Sequence, residues 1–386
     1  MHRRGALGPL HRFTLVLVFL ALALLVPSAL FWALSAVETR EIEVGLDLVA
    51  EIDERLAPLR ERDADERTWQ VGVLGDSMAI SYRGPKQIPS RLQQAVDELG
   101  SGSARIRVHS LASPGLGPFD FYFLADRVAA TLPDQVVLPV NLASLSEGWH
   151  AAFARPQLAG LLPPSRLPEA LGLPLEHIGV TADRLLSYIA VAQAGALEAW
   201  REISFRQAKL GAARSQLADR VSTFFGSEAE QRFALDAFIY NRSREVDAKP
   251  RPRLTPFGVE QRFAPALRGV EPDFPTLQLL GAAIHAFRER GIEVLVYTSP
   301  LNVEHLEAIG SDDPEGLART LASIETVSEG AGARFLDLHG LLPDAGFRDF
   351  AGHLSTTPAH DGPQRVADRI APLVIETARR ARGGHD

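Results

Sequence analysis

The chain reads as an α/β protein: a three-layer α/β/α sandwich on a five-stranded parallel, flavodoxin-like sheet, with a helical insertion and an N-terminal transmembrane helix. Three observations lead there. Short apolar runs alternate with amphipathic stretches in residues 69–149 and again in 275–375, the rhythm of βαβ units. Several of those runs stop on Gly, Asn, Asp or Ser, the residues that turn a chain out of a strand. Residues 13–37 are apolar, long enough to cross a bilayer as a helix, and carry no charged side chain.

Taken in order, Arg3, Arg4 and Arg12 precede the apolar run, and Glu38, Glu41 and Glu43 follow it with Arg40. The positive-inside rule then leaves residues 1–12 as a cytoplasmic tail and puts everything after the span outside, at the inner membrane's periplasmic face. The run exceeds a usual signal-peptide core, and Leu34-Ser35-Ala36 is a poor cleavage site, so an uncleaved anchor is expected. Residues 38–68 show an interrupted apolar stripe through Ile42, Leu46, Leu48, Val49, Ile52, Leu56 and Leu59, a helical stalk that either lifts the next domain or packs against it.

A strand is expected over residues 71–74 and a helix over 88–99, closed by Gly100-Ser101-Gly102. Strands over 106–111 and 135–140 follow, with a helix over 119–131 between them. The alternation stops near Trp149. Residues 150–265 carry helical stretches, notably 182–207 and 227–240, and form a helical insertion or cap dividing the α/β domain into 69–149 and 266–386. The rhythm resumes with a helix over 275–290, a strand over 292–297, a helix over 314–329 and a strand over 333–338. Residues 347–363 read as a loop before a terminal helix over 364–380.

Composition excludes several functions. The 386 residues carry a net charge of -8, a poor match to a nucleic-acid surface. The chain has no cysteine, which removes disulfides, thiolate catalysis and Cys-ligated zinc. The scattered histidines form no metal-ligating pattern, and Gly115-x-Gly117 lacks the rest of a dinucleotide fingerprint. No metal and no cofactor is expected.

In a parallel sheet all strand ends lie on one edge, where open α/β folds bind ligands. Those ends carry Gly75-Asp76-Ser77, Ser113-Pro114-Gly115, Asn141 and Ser299-Pro300-Leu301-Asn302, and a late loop adds Asp349 and His353. A serine at such a turn is either a helix cap or a nucleophile, and Asn141 is either a strand-end turn or an amide donor. Asn302 is either a turn residue or a substrate contact.

Ser77, Gly115, Asn141 and a late histidine, in that chain order, resemble the four blocks of the SGNH or GDSL hydrolases. The resemblance covers roughly residues 69–149 and 275–375. It implies the SGNH fold, with Ser77 as nucleophile, His353 as general base, Asp349 orienting the imidazole, and an oxyanion hole from the Ser77 and Gly115 N–H groups and the Asn141 amide. Gly115 suits the last role because a missing Cβ lets a substrate approach the main chain. Two features depart from the family pattern: Val140 and Leu142 flank Asn141, and Asp349 precedes His353 by four residues rather than three. His360 competes with His353 as the base.

With the anchor, the resemblance narrows to membrane-tethered bacterial members, and implies a serine esterase or acyltransferase acting on acyl esters, acetyl for example, of cell-envelope glycans. The alternatives are a lipase or thioesterase on lipid acyl esters, and a non-catalytic SGNH-fold partner of a membrane-bound O-acyltransferase.

Overall fold

A computed structural model describes residues 48–49, 51–60, 68–80, 86–100, 105–193, 256–348, 352–357 and 359–383. All of them fall in one compact unit, Leu48–Asp386. The span expected at residues 13–37, the helix at 227–240 and Asp349 lie outside them. Among the described residues no helix is long and apolar enough to cross a membrane.

In chain order the elements are α1 (51–60), β1 (Thr68–Val73), α2 (Ser77–Ile80), α3 (Ile88–Leu99), β2 (Arg105–Ser110), α4 (Pro118–Ala129) and β3 (Gln135–Val140). The insertion follows as α5 (Glu147–Phe153), α6 (Leu167–Leu171), α7 (Ala182–Gln193) and α8 (Pro256–Arg268), with 3₁₀ turns between the first three. Then come α9 (Pro275–Arg288), β4 (Glu293–Thr298), α10 (Val303–Ala308), α11 (Pro314–Gly330), β5 (Arg334–Leu336), the short pair β6 (Thr356–Thr357) and β7 (His360–Asp361), and α12 (Gly362–Gly383).

The first five strands form one parallel sheet in the order β2-β1-β3-β4-β5. This is the doubly wound order, and its switch point lies between β1 and β3, where the chain first turns back across the sheet. The two-residue period of the strands divides the core. In β3, Val136, Leu138 and Val140 join Leu74, Val294 and Val296 under α4, α9 and α11, while Val137 joins Val71, Val73, Leu295 and Tyr297 under α3 and α12. Both faces are thus covered, which is why these strands are continuous apolar runs.

Helix α1 belongs to this body and is not a free-standing stalk. Leu48, Ile52, Leu56 and Leu59 are buried in the same core as α4, and each such side chain removed from water is worth about 1.5–3 kcal/mol. Arg127 of α4 pairs with Asp53 across the contact. The described part of the insertion is fastened too: Arg166, buried, reaches Asp126 of α4 at 3.1 Å, Glu169 at 2.7 Å and Glu289, just beyond α9, at 2.6 Å.

Strand β5 is shorter than its apolar run. The Thr298 hydroxyl donates to Asp337 Oδ1 at 2.7 Å and accepts the Leu338 N–H at 2.8 Å, closing a turn where a ladder would continue. The expected loop at 347–363 contains more order than its sequence suggests. Phe347 and Leu354, both buried, form an antiparallel bridge, and β6 pairs with β7.

Candidate active site

The switch point is built from a glycine and a proline. Pro139 has no N–H, so a central strand tolerates it only where a neighbour has left the ladder. The β1–β3 register ends at Val73 and Val137, and Leu74 N–H makes a last bond to Val137 O. A Cβ on Gly75 would lie 2.6 Å from the Pro139 ring, so only glycine lets the chain turn here. Asp76 and Ser77 follow at once, and Ser77 opens α2.

Asp76 caps that helix. Its Oδ1 accepts the Met78 N–H at 2.9 Å and its carbonyl accepts the Ala79 N–H. Its Oδ2 accepts a 2.7 Å bond from the Asn141 side-chain amide, across the switch point. Burial raises the Asp76 pKa, opposed by the Asn141 amide, the Met78 N–H, the charge of His353 and the Ala79 N–H. Asn141 is held at both ends, because its Oδ1 accepts the Ala143 N–H at 3.0 Å. A primary amide has two N–H donors, and only one is engaged among the described residues.

His353 brings Nε2 to 3.0 Å from Ser77 Oγ. The histidine is buried and lies beside the Phe347–Leu354 bridge, its carbonyl accepting the Arg348 N–H at 2.7 Å. Gly352 before it has φ +89°, a backbone suited to glycine, and faces the Met78 thioether. His360 is elsewhere: it pairs with Thr357 in the β6–β7 ladder, and its neighbour Asp361 bonds Arg91 at 2.6 Å. Of these two histidines, His353 is the one in hydrogen-bond reach of Ser77.

The Ser113–Gly117 loop is tied to the same turn. Ser113 N–H donates to Gly75 O at 2.9 Å, and Ser113 Oγ donates to Glu51 of α1 at 3.3 Å. Gly115 has φ +77°, and a Cβ there would meet the Phe153 ring at 2.7 Å. The room left by its missing side chain is therefore filled by α5, not left open to a substrate. Asn302 is engaged as the cap of α10, accepting the His305 N–H at 3.2 Å and donating to Asp344 at 2.8 Å.

The sequence places Asp76 in the Gly75-Asp76-Ser77 turn with no role beyond a cap, and does not single out Phe153, Asp120 or Arg155. An Asp just before the first residue of a helix is a readable cap signal, but its bond to Asn141 depends on β1 and β3 being neighbours. Chemically, the arrangement offers a hydroxyl facing an imidazole, with a fixed amide beside it. Among the described residues no group of three or more His, Asp or Glu could hold a metal ion. No protein-family model and no curated protein matches the chain.

Proposed function

We propose that the chain is a serine esterase or acyltransferase of the SGNH type, held at the inner membrane by residues 13–37 with its catalytic domain in the periplasm. Acyl esters of envelope glycans are the substrate class. The observation that carries this is the 3.0 Å separation of Ser77 Oγ and His353 Nε2 at the switch point of the sheet.

The chemistry runs in two steps. With the imidazole neutral and protonated on Nδ1, Ser77 Oγ–H donates to Nε2. As Oγ attacks the ester carbonyl, that proton passes to Nε2, and Asp349 would orient the ring and stabilise its cation. The oxygen left negative is met by the Ser77 and Gly115 N–H groups and the second N–H of Asn141. Collapse expels the alcohol, which takes the proton from His353 and leaves an acyl-Ser77 ester. Water or a sugar hydroxyl then repeats the sequence and carries the acyl group away.

A fluorophosphonate probe tests this on the purified full-length protein. The wild type should be labelled, and Ser77→Ala and His353→Ala should not be. A folded wild type that resists the probe would overturn the covalent mechanism.

A further inference from the structure

We propose that Asp120 and Arg155 are a positioning pair that holds the Ser113–Gly117 loop so that the Gly115 N–H faces the oxyanion formed at Ser77. The inference rests on the reading of Ser77 as nucleophile.

The loop crosses from β2 to α4 through Ser-Pro-Gly-Leu-Gly, a stretch with few internal ties of its own: Leu116 N–H reaches Ser113 O at 3.2 Å. Its geometry must come from what grips it. Asp120, in the first turn of α4, accepts the Gly117 N–H on Oδ2 at 2.9 Å, which fixes the loop's exit. Arg155, just past α5, donates to Pro114 O at 2.7 Å, which fixes the residue before Gly115. Arg155 Nη1 and Asp120 Oδ1 face each other at 3.5 Å, both buried, an ion pair rather than a formed hydrogen bond. The two grips are thus joined to each other by opposite charges.

Phe153 closes the third side, lying where a Gly115 Cβ would be and packing on Trp149 with ring centroids 4.8 Å apart. Trp149, Phe153 and Arg155 all come from the start of the insertion, so that segment shapes the loop as well as extending the domain. Burial pushes the Asp120 carboxyl up to about 6, and Arg155 is the cation that opposes it. A carboxylate kept fully buried against a single cation is a costly arrangement for a turn that an apolar contact could also have closed.

An oxyanion donor displaced by a fraction of an ångström weakens the transition state more than the bound ester. Arg155→Gln should therefore lower kcat for p-nitrophenyl acetate about 10- to 100-fold, with KM within about 2-fold. Arg155→Lys, which keeps the charge and a donor for Pro114 O, should recover part of that loss. Hydrogen–deuterium exchange over residues 111–117 should quicken in Arg155→Gln and in Asp120→Ala. Wild-type kcat in a folded Arg155→Gln protein, or a loss confined to KM, overturns the proposal. Unchanged exchange overturns it as well, whatever the activity does. If exchange quickens but the wild type neither reacts with fluorophosphonate nor turns over, the fault lies in the nucleophile assignment and the grip on the loop stands.

Discussion

Two places on the same sheet edge hold a hydroxyl, an imidazole and a carboxylate, and they are wired in opposite ways. At the β1–β3 end, Ser77 Oγ faces His353 Nε2, while Asp76 takes the Asn141 amide. At the β4–β5 end, the Thr298 hydroxyl donates to Asp337, and His339 Nδ1 meets the same carboxylate at 2.8 Å. The first arrangement sets a serine hydroxyl opposite an imidazole nitrogen. The second commits the hydroxyl proton to a carboxylate, and it is that carboxylate, not the hydroxyl, that faces the imidazole. Burial separates them further. Asp76 is sealed and its pKa is raised, whereas burial of Asp337 is outweighed by hydrogen bonds from the His339 side chain, the His339 N–H and Thr298, bringing it down to about 2. Residue type does not distinguish a site from a turn here; the atom each group faces does.

The comparison breaks most sharply at the two imidazoles. His353→Ala should lower ester hydrolysis by about 10⁴-fold or more, as loss of a catalytic base does, while His339→Ala should stay within about 2-fold of the wild type. The check is kcat/KM on one small acyl ester for both variants. Comparable losses in the two would show that the β4–β5 cluster belongs to the chemistry.

Asn141 comes next, because it has two separable duties. Asn141→Ala removes an amide donor, so kcat should fall about 10²- to 10³-fold. It also leaves the buried Asp76 oxygen without a partner, so unfolding in urea should become easier by about 1–3 kcal/mol. A variant with full stability but low kcat would confine Asn141 to the oxyanion. One with low stability and normal kcat would confine it to holding the turn.

Much of the architecture was legible because it is local. The helix expected over residues 88–99 and the strand over 135–140 match α3 and β3 to the residue, since each carries its own periodicity and end signals. Ser77, Gly115 and Asn141 could be placed on one edge from the parallel rhythm alone. What could not be read was non-local. The Asp76–Asn141 bond joins positions 65 apart that meet only because β3 lies beside β1, and Arg155 reaches Pro114 from 41 residues away. The hairpin elements around His353 escaped notice because strands of two residues are too short to show a period. Helix α1 showed its apolar stripe plainly, but a stripe does not say which surface covers it.

The smallest expected effect lies at Asp337 and carries a sign that the Ser77 side does not share. A carboxyl held at about 2 in the folded protein, against 3.8 when unperturbed, stabilises the fold when ionised in both states. That contribution is complete above pH 3.8 and is lost as pH falls through about 2. The Asp337 side chain is 37% exposed, so solvent screening trims the contribution to about 1 kcal/mol. Unfolding free energies of the wild type and Asp337→Asn, extrapolated from urea titrations, should therefore differ by about that much at pH 5 and converge as pH approaches 2. Asp76, whose pKa is moved the other way by burial, should favour the folded state as its proton is taken up. A gap between wild type and Asp337→Asn that widens on acidification would mean that the His339–Thr298 turn does not hold Asp337 ionised, and the two clusters would be electrostatically alike after all.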